Sequence, residues 1–226
     1  MCEEAVHALY HIHFGADKVM AATLHRMYYN LSKRAAATGS KVASGNVYEL
    51  SRFLFVLGQT AISTLVFTEA LAAKAKKYAP AAASKKDAAA SAAPEAEVTA
   101  VDAMEEEMGC AAAADADHDK LLGEIVEREV VVRNMLGKFL PLILFIVANE
   151  RKHFSHALVR ETSILTLCRF MATSSVVCEQ SLPLLFTVLE SEGSEKNRTS
   201  IVITLGDLAF RFPNLVEPWT DRIYAK

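Results

Sequence analysis

Glycine and proline are scarce in this sequence, which has nine of the first and six of the second among 226 residues. Few residues are therefore available to interrupt a regular element. Apolar side chains recur at every third or fourth position rather than at every second one. That spacing is typical of helices that bury one face, and it predicts an all-α fold.

Cysteine is also scarce, and the four copies Cys2, Cys110, Cys168 and Cys178 contain no CxxC pair. This spacing indicates neither a zinc ribbon nor a disulfide framework, so we expect reduced thiols in an intracellular protein. A large excess of charge is missing as well, since 24 basic and 27 acidic residues give a formal net charge of −3. The balance argues against a wholly basic nucleic-acid-binding domain and leaves room for a local basic face.

Long apolar runs are absent. The longest strongly apolar run covers residues 139–148, which is far short of the ~20 residues that a membrane-spanning helix needs. The N-terminal stretch MCEEAVHALYHIHF carries acidic residues where a signal peptide carries basic ones. The sequence therefore predicts a soluble intracellular protein without a membrane partner.

The helical pattern repeats along the chain. A shift of 38 residues superimposes two helix hairpins, placing Arg160 on Arg198, Ile164 on Val202 and Leu167 on Leu205. A third copy lies 158 residues before the first of these, with Val6 on Ile164 and Leu24 on Leu182. Unrelated amphipathic helices can also be slid into partial agreement, but here the turn positions agree as well. A period near 40 is typical of HEAT and armadillo repeats, and we predict a HEAT-repeat-like α-solenoid of stacked antiparallel helix hairpins.

The repeats are predicted to form one continuous solenoid from residues 1–77 and 120–226. Between these segments the composition changes, because alanine fills 17 of the 39 positions from Ala79 to Asp117 and an acidic run lies within that range at residues 105–107. Such a segment buries too little apolar surface to offset the entropy lost on ordering. We therefore predict that residues 78–119 are a disordered, Ala-rich and acidic insertion.

The sequence contains no evident catalytic or metal-binding constellation. His7 and His11 are four residues apart on one predicted helix and could share a metal, but no HExxH motif accompanies them. Cys168 and Cys178 fall on apolar stripes, so burial is expected rather than nucleophilic reactivity. We predict that the protein is not an enzyme and has no cofactor and no small-molecule substrate.

Three single residues carry structural predictions. Gly58 and Gly206 are isolated inside helical patterns, and each is predicted to let a neighbouring helix approach closely. Glu192 lies in the loop between two hairpins, and its replacement by Ala is expected to cost under ~0.5 kcal/mol.

Basic side chains supply the candidate binding site. Their spacing could place several on one ridge that contacts DNA phosphates or a protein partner, and a solvated charged face is the alternative reading. The candidates are Arg151, Lys152, Arg160, Arg198 and Arg211, with Arg169 in the same part of the chain.

The C-terminal part reads SLPLLFTVLESE and then NRTSIVITLGDLAFRFPNLVEPWTDRIYAK. These residues resemble the condensin complex subunit 1 family, the large HEAT-repeat non-SMC subunits of condensin, and GDLAFRFPNLVEPWT is the most specific string. The resemblance continues upstream in ETSILTLCRFMATSSVVCEQSLPLLF and SRFLFVLGQTAISTLVFTEAL, so it covers about residues 46–226. Family members are several times longer, so the chain resembles an internal or truncated stretch.

This resemblance implies a non-catalytic scaffold segment of condensin that supports mitotic chromosome condensation. The implied partners are the kleisin subunit and the SMC ATPase pair, with chromatin or DNA as a further contact. The implied location is the nucleus and cytoplasm, with chromosome association in mitosis. A generic HEAT or armadillo adaptor for another peptide partner, such as a transport receptor, is the alternative.

Overall fold

A computed structural model describes residues 2–37, 44–87, 135–150 and 152–224. These residues form helices and turns without a strand, which confirms the all-α prediction for the described part of the chain. The helices are α1 (Cys2–Ile12), α2 (Ala16–Ala37), α3 (Ser44–Asp87), α4 (Met135–Ala148), α5 (Ala157–Thr173), α6 (Ser175–Ser191), α7 (Glu195–Arg211), α8 (Pro213–Val216), a 3₁₀ turn (Glu217–Trp219) and α9 (Thr220–Tyr224).

The chain divides into two compact units. One contains residues 1–65 and 127–226, and the other contains residues 66–126. Helix α3 passes from the first unit into the second and continues to Asp87, ten residues beyond the predicted boundary at residue 77. Alanine, the strongest helix former, is frequent there, which explains why the helix extends further than expected. The rest of the predicted insertion lies outside the described residues.

Local sequence signals mark the ends of the C-terminal helices. Ser174 alone separates α5 from α6, and its hydroxyl caps α6 by accepting a hydrogen bond from the backbone N–H of Val177. Helix α7 begins at Glu195, after the predicted loop, and Pro213 occupies the first turn of α8, where proline is well tolerated.

The first helices of the successive pairs contact one another. The Tyr10 hydroxyl of α1 lies 2.7 Å from the Thr64 hydroxyl of α3. The Thr166 hydroxyl of α5 lies 2.9 Å from the carbonyl oxygen of Leu54 in α3 and 2.7 Å from that of Thr162 in its own helix, so the two carbonyls share its one proton. Helix α7 then packs on α5. The helices α1, α3, α5 and α7 therefore form one row.

The second helices form a matching row. The rings of Tyr28 in α2 and Phe139 in α4 meet edge to face, with centroids 5.5 Å apart. Helix α4 packs on α6, which in turn packs on α8. Just after α8, the indole of Trp219 stacks on the ring of Phe186, with centroids 4.9 Å apart. The helices α2, α4, α6 and α8 therefore form a second row beside the first.

Burial supports the repeat alignment at several positions. Leu167 and Leu205 are both almost fully buried, as are Val6 and Leu24 of the N-terminal copy. Val202 differs, since 49% of it is exposed whereas its counterpart Ile164 is buried. Helix α5 has α3 on one side and α7 on the other, while no helix among the described residues covers the side of α7 that carries Val202.

The two helix-interior glycines have different surroundings. A Cβ atom on Gly58 would lie 3.2 Å from the Cα and the hydroxyl oxygen of Thr166 and from the Cδ of Arg169, so α3 and α5 approach closely there, as predicted. A Cβ atom on Gly206 would meet nothing within 4 Å. The prediction of a close approach at Gly206 is therefore wrong for the described part of the chain.

One segment within the described residues, Asn46–Lys74, is long and apolar enough to cross a membrane by length and composition. A few polar residues interrupt this segment, so it contains no long uninterrupted apolar run. Half of its most apolar window is buried inside the protein. Core helices of soluble proteins meet the same criterion, so the segment is weak support for a membrane span.

Candidate functional site

The candidate cation Arg160 is engaged inside the fold. Its Nε donates a hydrogen bond to Oε2 of Glu192 at 2.9 Å, and its Nη1 donates to the backbone carbonyl of Val147. Only 16% of the Arg160 side chain and 10% of the Glu192 side chain are exposed. The ion pair links the start of α5 to the loop after α6, and the hydrogen bond to Val147 links it to the end of α4. Glu192 is therefore a packing residue rather than the tolerant loop residue that the sequence predicted.

The other candidate cations occupy different environments. Arg198, the repeat counterpart of Arg160, is exposed and forms no ion pair with any described residue. Lys152 is exposed too, and its φ of 54° places it in the left-handed region. Arg211 is exposed near the end of α7, with its guanidinium 5.5 Å from the ring centre of Phe212. Arg151 lies outside the described residues.

Cys168 and Cys178 are buried, as the sequence predicts, and two of the histidines lie close together. The Nε2 atoms of His7 and His11 are 3.4 Å apart, but no third His, Cys, Asp or Glu completes a metal-binding group among the residues that the structure describes. Burial raises the pKa of the Cys168 thiol to about 11, and burial with the nearby Glu179 carboxylate raises that of Cys178 to about 11 as well. Both thiols are protonated at neutral pH and pack as small apolar groups.

Arg169, in the last third of α5, has the most unusual environment of the basic residues. Its guanidinium lies over the ring of Phe55, 5.4 Å from the ring centre, and its Nη2 is 3.9 Å from Oε1 of Glu3. Only 17% of its side chain is exposed, and this burial lowers the pKa of the guanidinium. Within the described ranges the guanidinium makes no hydrogen bond. The missing side chain of Gly58 leaves the space that the aliphatic part of Arg169 occupies.

A groove of about 300 Å³ opens beside Arg169 between α3, α5 and α7. Its lining is mostly apolar and consists of Ile62, Leu165, Ala172, Ile203 and Leu208, with Cys168, Ser200 and Thr204 between them. Asp207 is the second charged residue in the lining. The groove thus combines an apolar floor with one basic and one acidic side chain.

The sequence contained a signal for this arrangement. The 38-residue shift that aligns the two hairpins places Arg169 on Asp207, and equivalent positions of neighbouring helices in a row lie side by side. Arg169 was predicted to belong to a row of cations, with no link to Asp207. The groove itself depends on how three helices pack, which periodicity alone does not determine.

Comparison with known proteins gave no matching family model. Curated relatives do match along the chain. Condensin-1 complex subunit CAP-D2 of Arabidopsis thaliana is 32% identical over 99% of this chain, and condensin complex subunit 1 of Saccharomyces cerevisiae is 33% identical over all of it. Condensin complex subunit 1 of Xenopus laevis is 42% identical over 54% of the chain. The chain spans 17% and 20% of the length of the first two relatives.

Proposed function

Because this chain belongs to the condensin complex subunit 1 family along its whole length, we propose that it acts as a segment of a condensin complex. The identity of 32% and 33% over the whole chain carries this proposal. It agrees with the resemblance seen in the GDLAFRFPNLVEPWT string. That the segment shares the activity and partners of the whole subunit is part of the proposal.

The segment's role in this proposal is that of a non-catalytic scaffold built from HEAT-like repeats. Support comes from the two rows of helices, in which α5 contacts α3 and α7, and α6 contacts α4 and α8. Stacked helix pairs that contact only their neighbours expose long continuous ridges, and such ridges suit extended protein partners.

The proposed partners are the kleisin subunit and the SMC ATPase pair of condensin, and the proposed process is mitotic chromosome condensation. The protein is then located in the nucleus and cytoplasm and associates with chromosomes in mitosis. A HEAT or armadillo adaptor for another peptide, such as a transport receptor, is the alternative that the experiment must separate.

Affinity purification of the tagged full-length protein from mitotic cells tests this proposal. We expect the SMC ATPase pair and the kleisin subunit to co-purify with it. Leu167→Asp places a charge in the core and is expected to reduce recovery of both, whereas Ile12→Asp, at an exposed apolar position, is the matched control. Recovery of transport factors without an SMC ATPase pair would instead support the adaptor.

A second proposed function is weak electrostatic contact with DNA. Its support is that Lys152 and Arg198 are exposed and form no ion pair with the described residues. Their reversal to Glu should weaken binding to duplex DNA in a fluorescence-anisotropy titration and shallow the salt dependence by about one unit per phosphate contact. Unchanged affinity and unchanged salt dependence would identify both side chains as solvated charges.

A further inference from the structure

The Arg169 guanidinium is a poorly satisfied donor group beside an apolar groove. A guanidinium carries five N–H donors and no acceptor, and an acceptor matters more when the group is withdrawn from water. Only 17% of the Arg169 side chain is exposed, and its one ion pair is long, with 3.9 Å between Nη2 and Oε1 of Glu3. The ring of Phe55 covers one face of the group. The remaining N–H groups have no acceptor among the described residues, and Arg169 lines the groove, so a planar anion such as a carboxylate bound there could accept from them.

The rest of the groove restricts what kind of anion fits. Its floor is formed by aliphatic side chains of α3, α5 and α7, including Ile62, Leu165 and Ile203, so the occupant must bring an apolar group. Asp207, on the α7 side, repels a polyanion. A nucleic acid backbone has dense negative charge and no aliphatic side chains, and it matches neither feature.

We propose that this groove binds a peptide segment of a protein partner that places an acidic side chain on Arg169 and a neighbouring apolar side chain between α5 and α7. Arg169 supplies the charged recognition, because a carboxylate can accept two parallel hydrogen bonds from its N–H groups. The apolar floor supplies the buried contact area. This goes beyond membership of a condensin complex, since it assigns a site and the chemistry of its ligand.

Glu3 provides an internal test of the same chemistry. Its carboxylate approaches Arg169 to 3.9 Å and is 60% exposed, so it is a weak competitor for the guanidinium. Glu3→Gln removes the competing charge and should increase the affinity for an acidic peptide. If the role of Arg169 were purely structural, Glu3→Gln would not increase the affinity for the peptide.

Fluorescence polarisation with the 226-residue chain tests the proposal. The probe is a short labelled peptide in which one Glu adjoins one Leu in an otherwise uncharged sequence, with matched peptides in which Gln or Lys replaces Glu and Ser replaces Leu. We expect saturable binding of the Glu/Leu peptide, about tenfold weaker binding to Arg169→Met, and tighter binding to Glu3→Gln. Arg198→Met is the matched control, because it removes an exposed arginine with no ion pair among the described residues.

Methionine keeps the aliphatic part of the side chain beside Gly58, and circular dichroism checks that the variant is folded. Ser200→Phe is a second variant that fills the groove from α7 and leaves Arg169 in place, and it should also weaken binding about tenfold.

Absence of saturable binding overturns the proposal, as do equal losses for Arg169→Met and Arg198→Met. Binding of duplex DNA that depends on Arg169 would assign the site to nucleic acid instead. None of these outcomes depends on whether an SMC ATPase pair co-purifies with the full-length protein.

Discussion

Replacing Gly58 with Ala tests the close crossing of α3 and α5. The added Cβ atom would lie 3.2 Å from the backbone Cα of Thr166 and 3.2 Å from its hydroxyl oxygen. The backbone of α5 cannot move away without disturbing the hydrogen bond from the Thr166 hydroxyl to the carbonyl of Leu54, which is 2.9 Å long and buried. The substitution therefore forces two packed helices apart.

The expected magnitude follows from three contributions. Alanine gains about 1 kcal/mol over glycine inside a helix. Overpacking a close contact costs about 1–3 kcal/mol, and weakening the buried hydrogen bond costs about 1 kcal/mol. We therefore expect Gly58→Ala to lower the free energy of unfolding by about 1–3 kcal/mol.

Gly206→Ala is the matched control. A Cβ atom there meets nothing within 4 Å, so only the helix-propensity gain of about 1 kcal/mol remains. The two substitutions are chemically identical and both lie inside helices, yet they should change stability in opposite directions.

Urea unfolding followed by circular dichroism measures both effects. A difference of about 2–4 kcal/mol between the variants corresponds to about 1–2 M between their midpoints if the m-value is about 2 kcal/mol per molar urea. Equal midpoints for the two variants, or a stabilised Gly58→Ala, would refute the close crossing.

Three further predictions use the same chain. Glu192→Ala leaves Arg160 without its carboxylate partner and should cost about 1–3 kcal/mol in urea unfolding, and a loss under ~0.5 kcal/mol would restore the view of a tolerant loop. Leu167→Ala and Leu205→Ala should each cost about 2–5 kcal/mol, and a large cost at one site only would contradict their equivalence. Burial raises the pKa of the Cys168 thiol from 9.0 to about 11. The protonated thiol therefore contributes fully to the free energy of unfolding below pH 9, and this contribution is lost as the pH rises through about 11. The thiol should accordingly resist alkylation at pH 8 until the protein unfolds, and alkylation of the folded protein at the rate of a free thiol would contradict this burial.

The helical fold could be predicted from the sequence because its signals are local. The apolar stripe through Leu167 depends on the 3.6-residue period of one helix, and the helix start at Ser174 depends on a single capping hydroxyl. The alignment of Leu167 with Leu205 depends on the repeat. Such features require no knowledge of which helices become neighbours.

Other features could not be predicted because they depend on neighbours. Arg160 and Arg198 occupy one repeat position, but Glu192 and the carbonyl of Val147 lie beside Arg160 only. Arg198 has no such partners among the described residues and stays exposed. Sequence equivalence therefore gave the right helix position for both residues and the wrong role for one.

The same dependence on neighbours explains why the groove forms where it does. Helix α5 is flanked by α3 and α7, so Arg169 has the ring of Phe55 on one side and lines the same mostly apolar groove as Asp207 of the next repeat. In α7 the equivalent position is itself Asp207, which has no described helix beyond it and stays exposed. A charged side chain inside a helix is suited to binding a ligand when helices pack on both sides of it. Their packing removes water from the charged group without supplying an acceptor for each of its N–H donors. Arg169 meets that condition, and its open donors are the reason to expect a ligand there rather than at the exposed cations.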